Sequence, residues 1–126
     1  MSRILADTSV WVAHFRKGLP TLRSLLKDDR VLGHPLVLIE LACGTPPAPR
    51  HRTLGDLKLL EQAVVATTEE TLALIERERL FDCGCGAIDV ALVASARLTP
   101  GASLWTLDRN LLDVAIRLGI AFDPDF

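Results

Sequence analysis

The chain has 126 residues, of which 49% are hydrophobic and 24% charged. That length and balance suit one domain over residues 1–126 with a single core, and exclude a disordered or fibrous chain. A formal net charge of −2 excludes a broadly basic nucleic-acid coat and leaves only a local basic rim as a means of holding phosphates.

Ile4-Leu5-Ala6 reads as a short strand that ends at Asp7-Thr8-Ser9, a helix-start signature. Val10, Trp11, His14 and Phe15 then recur at helical spacing, and Trp11 is a candidate core anchor. Pro20 opens a second helix with a Leu22, Leu25 and Leu26 stripe, and Val31-Leu32 is a brief strand. Pro35 suits a first helical turn, so Leu36 to Ala42 reads as a helix ending near Gly44. A Pro-rich loop over 45–49 leads to an amphipathic helix marked by Leu54, Leu57 and Leu60. Ala63 to Ala66 is expected to form a strand. Thr68 is expected to cap the helix that follows, with Glu69 and Glu70 in its first turn.

Cys83-Gly84-Cys85-Gly86 is a flexible break before a helix, Ala87 to Leu98, that is apolar nearly all round and so central. Ser103 to Leu107 reads as a strand, with Trp105 a second core anchor. Asp108 then opens a last helix, Gly119 ends it, and Ile120 to Phe122 can add a final strand. Alternating strands and helices predict an α/β sandwich with a mainly parallel sheet and helices on both faces. No apolar run approaches the roughly 18 residues a membrane span needs, and no secretory leader is visible. Three cysteines cannot all pair within one framework. The expectation is a soluble, cytoplasmic protein.

Four acids stand alone in apolar surroundings. Asp7 is the one charge between Arg3 and Arg16, and Glu40 the one between Arg30 and Arg50. Asp89 is isolated between Asp82 and Arg97, and Asp108 is the one acid between Arg97 and Asp113. These surroundings predict burial, and a buried carboxylate without a partner costs several kcal/mol or more. No lysine or arginine occupies a matching apolar position to serve all four. In parallel α/β sheets, residues just past the strand ends meet in one crevice, where Asp7 and Asp108 would sit. Glu40 would reach in from a helix, and Asp89 from the first turn of the central helix. Oxygen-only donors suit a hard divalent ion, Mg²⁺ or Mn²⁺, and the implied chemistry is phosphodiester hydrolysis with one ion or two. Taken singly, Asp7 and Asp108 are equally suited to capping helices, and Asp89 to a helix N-terminus.

The order and context of these acids resemble the PIN-domain family, and within it the VapC-type toxins of toxin–antitoxin pairs. Ile4 to Trp11 is similar to the family's strand followed by Asp-Thr-Ser, and His34 to Gly44 to its helix bearing a glutamate. Gly86 to Ala94 and Leu104 to Leu111 are similar to the third and fourth motifs. The resemblance spans the chain. It implies a three-layer α/β domain and a Mg²⁺- or Mn²⁺-dependent endoribonuclease with Asp7, Glu40, Asp89 and Asp108 as metal-binding and catalytic residues. It further implies Thr106, and less firmly Thr8 and Ser9, as hydroxyls that orient a ligand carboxylate. Its partners would be RNA, a small antitoxin protein and a second copy of the chain. The competing reading is a catalytically silent fold of the same family that binds RNA or protein.

Arg16, Lys17, Arg50, Arg52 and Arg109 are candidates for a phosphate-steering rim, the Arg50-His51-Arg52 cluster foremost. Asp123 or Asp125 could add a ligand. Cys83-x-Cys85 lacks the second ligand pair a zinc site needs, and Cys43 is expected in the core. The histidines are scattered, with His14 a satisfied, partly buried residue and His34 a cap or substrate contact. A phosphatase forming an aspartyl-phosphate would need a second aspartate where Ser9 stands, and a phospho-receiver domain would need a late lysine, yet none follows Lys58.

Overall fold

A computed structural model describes residues 2–124. Its strands are β1 (Arg3–Ala6), β2 (Val31–Gly33), β3 (Glu61–Gln62) and β4 (Ala102–Trp105). They form one parallel sheet in the order β3-β2-β1-β4. The helices are α1 (Thr8–Lys17), α2 (Pro20–Lys27), α3 (Pro35–Cys43), α4 (Arg50–Lys58), α5 (Thr68–Glu78), α6 (Ala87–Leu98) and α7 (Arg109–Arg117).

The crossovers from β1 to β2 and from β2 to β3 step one way along the sheet, and the crossover from β3 to β4 steps back. Right-handed connections therefore place α1–α4 on one face and α5–α6 on the other. The packing agrees: α1 lies on β1 and α3, α3 on α4, and α6 on both β4 and α5. The chain thus forms a three-layer α/β fold. Strands this short can be buried on both faces, and Ile4, Leu5, Leu32 and Leu104 are essentially inaccessible to solvent. Leu92 and Val93 of α6 and Leu111 of α7 complete the core. Trp11 and Trp105 are both buried, as core anchors should be, which leaves neither ring free to stack on a base.

Three expectations shift. The third strand lies at 61–62, ahead of the apolar run. Ala63 still donates to Gly33 O, but beyond it the backbone bonds to side chains of α6 and its C-cap: Val64 N–H to Thr99 Oγ1 at 2.8 Å and Ala66 N–H to Ser95 Oγ at 3.1 Å. Thr67, not Thr68, caps α5, in a reciprocal capping box with Glu70. Ile120 to Phe122 makes only an isolated parallel bridge, Ala121 to Leu104, rather than a full strand. Among the described residues, no helix is long and apolar enough to cross a membrane.

A buried polar knot ties the two layers together. His34 Nδ1 accepts the Leu36 N–H at 3.1 Å and so caps α3. That assigns the proton to Nε2, which lies 2.9 Å from Ser95 Oγ. Ser95 also accepts from Ala66 and donates to Ala91 O at 2.8 Å. Burial holds the His34 pKa below its ordinary 6.5, because a second ring proton would have no acceptor in this network.

Ser95→Ala should lower unfolding free energy by about 1–3 kcal/mol in urea titrations, since it strands the His34 and Ala66 donors. A histidine with a depressed folded pKa contributes stability that is complete above the unfolded value and is lost as pH falls. Stability should therefore drop as pH goes below about 6.5, His14 contributing in the same direction through its own burial and Arg23. His34→Asn, which keeps a capping acceptor but does not titrate, should flatten that slope in pH-dependent denaturation.

Candidate metal centre

The strand order reverses between β1 and β4, so the crevice beyond their carboxyl ends is the topological switch point of the sheet. Asp7 lies immediately after β1 and Asp108 three residues after Trp105, the last residue of β4. Their registers match, with Ala6 paired to Trp105, so the two chains leave the sheet side by side.

Asp7 is buried at 4% exposure. Its Oδ1 accepts Ser9 Oγ at 2.6 Å and the Val10 N–H at 3.1 Å, capping α1. Its Oδ2 accepts the hydroxyl of Thr106 from the end of β4. Thr106 in turn accepts the Asp108 N–H at 3.0 Å, and Ser9 accepts the Leu107 N–H at 2.9 Å. The segment after β4 is therefore held onto Asp7 at two points. Burial raises the Asp7 pKa, while the donors from Ser9, Thr106 and the backbone pull it back toward the charged form.

Glu40 lies on α3, half-buried, and its Oε1 accepts the Thr8 hydroxyl. Asp89 lies in the first turn of α6, half-buried, where its carboxylate accepts the Gly86 amide. Its pKa is raised by burial first, then by the charges of Asp108, Asp7 and Glu40. Asp89 thus feels the charge of the other three acids, although the four arrive from separate elements. Among the described residues, neither ion pair includes any of them; those pairs are Arg3–Glu61 and Arg97–Glu78.

One expectation fails in part. Asp108 is exposed rather than buried, because it starts α7 at the rim, where its Oδ1 caps Leu111 at 3.0 Å. Capping and ligation are compatible here. Asp108 uses one oxygen for its cap, and Glu40 one for Thr8, so each keeps a second oxygen without a hydrogen bond among the described residues.

The donor set is all oxygen and carries up to four negative charges, with one carboxylate buried and, among the described residues, no ion pair to any of them. That chemistry fits a hard divalent ion. The side chains are not drawn in tightly: among the described residues, no three His, Cys, Asp or Glu side chains form a cluster able to hold an ion as they stand.

The basic candidates separate. Arg16 lines a hollow of about 310 Å³ together with Glu40, Thr8, Phe15 and the 45–47 loop. Arg109 follows Asp108 and is exposed. Arg50, by contrast, donates to the Ala42 and Gly44 carbonyls at the end of α3, so its guanidinium is already engaged there. Arg52 and Lys17 are exposed side chains. Asp123 lines a different hollow with Ser2, Arg30 and Ser103 at the amino ends of the strands, and Asp125 lies outside the described residues. Cys43 is exposed rather than core. His14 accepts the Leu19 N–H and packs against Trp11 and Phe15.

The contribution of Gly86, and the second bond that Ser9 makes, are hard to anticipate from sequence. The Asp-x-Ser spacing signals the Ser9 contact to Asp7, but not its second bond to Leu107. Gly86 three residues ahead of Asp89 marks a helix start whose amide can turn onto the carboxylate.

The PIN-domain family model matches residues 4–117. A protein of Mycobacterium tuberculosis, Ribonuclease VapC32, is 43% identical over 118 residues, covering 94% of this chain and 94% of that protein, in both the CDC 1551 / Oshkosh and H37Rv strains. The crystal structure of PAE2754 from Pyrobaculum aerophilum superposes with a TM-score of 0.58 at 18% identity, covering 94% of this chain and 90% of that one, and so shares the fold. The chain belongs to the PIN-domain family and, within it, to the VapC type.

Proposed function

We propose that the chain is a Mg²⁺- or Mn²⁺-dependent endoribonuclease that acts in the cytoplasm as the toxin of a toxin–antitoxin pair. The carrying observation is that Asp7 and Asp108 leave β1 and β4 side by side at the switch point of the sheet, joined through Thr106, while the ion pairs among the described residues include none of the four acids. The 43%-identical relative named as a ribonuclease supports the same reading.

Asp7, Glu40, Asp89 and Asp108 would hold the ion through carboxylate oxygens, Glu40 and Asp108 through the oxygen that their hydrogen bonds leave free and Asp7 through a remaining lone pair. When bound, the ion supplies a water of lowered pKa and charge stabilisation at the phosphoryl oxygens. Thr106 fixes the Asp7 carboxylate against β4, and Thr8 fixes Glu40, so both acids present a set oxygen to the crevice. Arg16 and Arg109 lie on the rim, where a phosphate backbone needs positive charge that the acids lack. An antitoxin would silence the chain by covering this crevice, and a second copy of the chain would complete the assembly.

Purified protein should cleave RNA with Mg²⁺ or Mn²⁺ and stop on addition of EDTA. Asp89→Asn should remove cleavage by about 100-fold or more while keeping the fold by circular dichroism. Thr106→Val, which deletes the hydroxyl but keeps the volume, should lower activity by about 10–100-fold. RNA binding without any product, indifferent to cations, would identify the silent binding module instead.

Charge relief gives a second readout. Without metal, Asp89→Asn should melt higher than wild type at neutral pH, because it removes one of four repelling charges. At roughly a hundredfold excess of Mg²⁺ over Kd, wild type should gain about 5–10 °C in Tm and the variant clearly less. Equal gains in both would contradict the site.

A further inference from the structure

The loop between α5 and α6 carries two thiols that the proposed cleavage chemistry does not use. Cys83 and Cys85 flank Gly84 in a bent segment. Both are half-buried, while Phe81, Asp82, Gly84 and Gly86 around them are exposed. Gly84 has φ +82°, a left-handed conformation that turns the chain back between the two cysteines. Residues two apart across such a bend can meet the Cα separation of about 4.4–6.8 Å that a disulfide requires.

This loop is wired to the acid crevice from both sides. Gly86, one residue past Cys85, caps α6 and donates its amide to Asp89. The Gly84 carbonyl accepts Asn110 Nδ2 at 3.4 Å, and Asn110 lies two residues past Asp108 in the first turn of α7. The approach is so close that a Cβ on Gly84 would sit 2.5 Å from that amide nitrogen. Cys83 anchors the other side of the loop by donating to Leu80 O at 3.2 Å.

We propose that Cys83 and Cys85 are a reversible redox modification site: thiol–disulfide exchange with a small-molecule disulfide closes a Cys83–Cys85 bond that reshapes the 83–86 loop and displaces Asp89 and Asp108. Cys83, as thiolate, attacks the small disulfide, forming a mixed disulfide and releasing one thiol. Cys85 then attacks the Cys83 sulfur, loses its proton and releases the second thiol. Two protein thiols are oxidised and one external disulfide is reduced to two thiols. Attack begins at Cys83 because burial and the hydrogen bond with Cys83 push the Cys85 thiol up to about 12, with Asp89 and Asp108 adding to the effect. Closure removes the Cys83 hydrogen and with it the bond to Leu80, and tightens the segment around Gly84, so the Asn110 and Gly86 ties shift together. The effect on RNA cleavage rests on the function proposed above; the modification and the loop change do not.

The test uses a Cys43→Ser chain, which removes the remaining exposed thiol. After treatment with glutathione disulfide, peptide mass spectrometry should show a loss of two hydrogens confined to the fragment holding Cys83 and Cys85, restored by dithiothreitol. Hydrogen exchange should show the first-turn amides of α6 and α7 opening roughly 2–10-fold faster in the oxidised protein, as loss of one hydrogen bond implies. The same treatment of a Cys43→Ser, Cys83→Ser, Cys85→Ser chain should change neither readout. Persisting glutathione adducts, thiols that remain free, or unchanged exchange in the disulfide form would each overturn the proposal. Because neither readout involves metal or RNA, a failure of the nuclease reading would leave both results intact.

Discussion

The structure turns on one hydroxyl. Thr106 donates to the buried Asp7 and accepts from the Asp108 amide, so a single oxygen couples the end of β1 to the turn after β4. Without it, Asp7 would be a carboxylate held only by its own helix, and Asp108 a cap on a free loop. With it, Asp7 is tied to a residue 99 positions away in sequence, and Asp108, two residues further on, is set in a fixed relation to it. Ser9 makes a parallel link, donating to Asp7 and accepting the Leu107 amide. The parallel sheet makes this coupling available, because β1 and β4 are neighbours whose chains leave in the same direction at the point where the strand order reverses.

Glu40 and Asp89 come from opposite layers, and neither is pinned to Asp7. Each has its own local donor, Thr8 for one and the Gly86 amide for the other. The crevice is therefore a set of individually oriented carboxylates surrounding a deficit of positive charge. Burial raises the pKa of both Asp7 and Asp89, and at Asp89 the charges of the other three acids add to it. The same logic places the arginines outside: Arg16 borders the hollow beside Glu40, whereas an arginine inside would pair with the acids and occupy the position an ion would take.

The parts of this arrangement that sequence conveys are those with a local cause. Asp-Thr-Ser after a short apolar run announces both a strand end and a helix start, and Pro35 and Gly44 bracket the glutamate helix. The isolation of Asp7 between Arg3 and Arg16 correctly announces its burial. The same sign misleads for Asp108, because apolar neighbours along a chain do not reveal that the residue starts a helix at the rim. The Ala63–Ala66 run looks like a strand, yet the Val64 and Ala66 amides go to Thr99 and Ser95, a pairing set by how the central helix packs on the sheet. Arg50 looks like a phosphate ligand on a basic loop, and only the path of α3 shows that two of its carbonyls claim the guanidinium. Long-range partners of this kind leave no periodic trace.

The account stands on four carboxylates sharing a divalent ion. Electron paramagnetic resonance of free Mn²⁺ during titration measures that sharing without reference to RNA. Wild-type protein should deplete the free signal and saturate, and an Asp7→Asn, Asp89→Asn chain with unchanged circular dichroism should leave it undiminished. Equal depletion by both proteins would show that the ion is held elsewhere and would contradict the site described here.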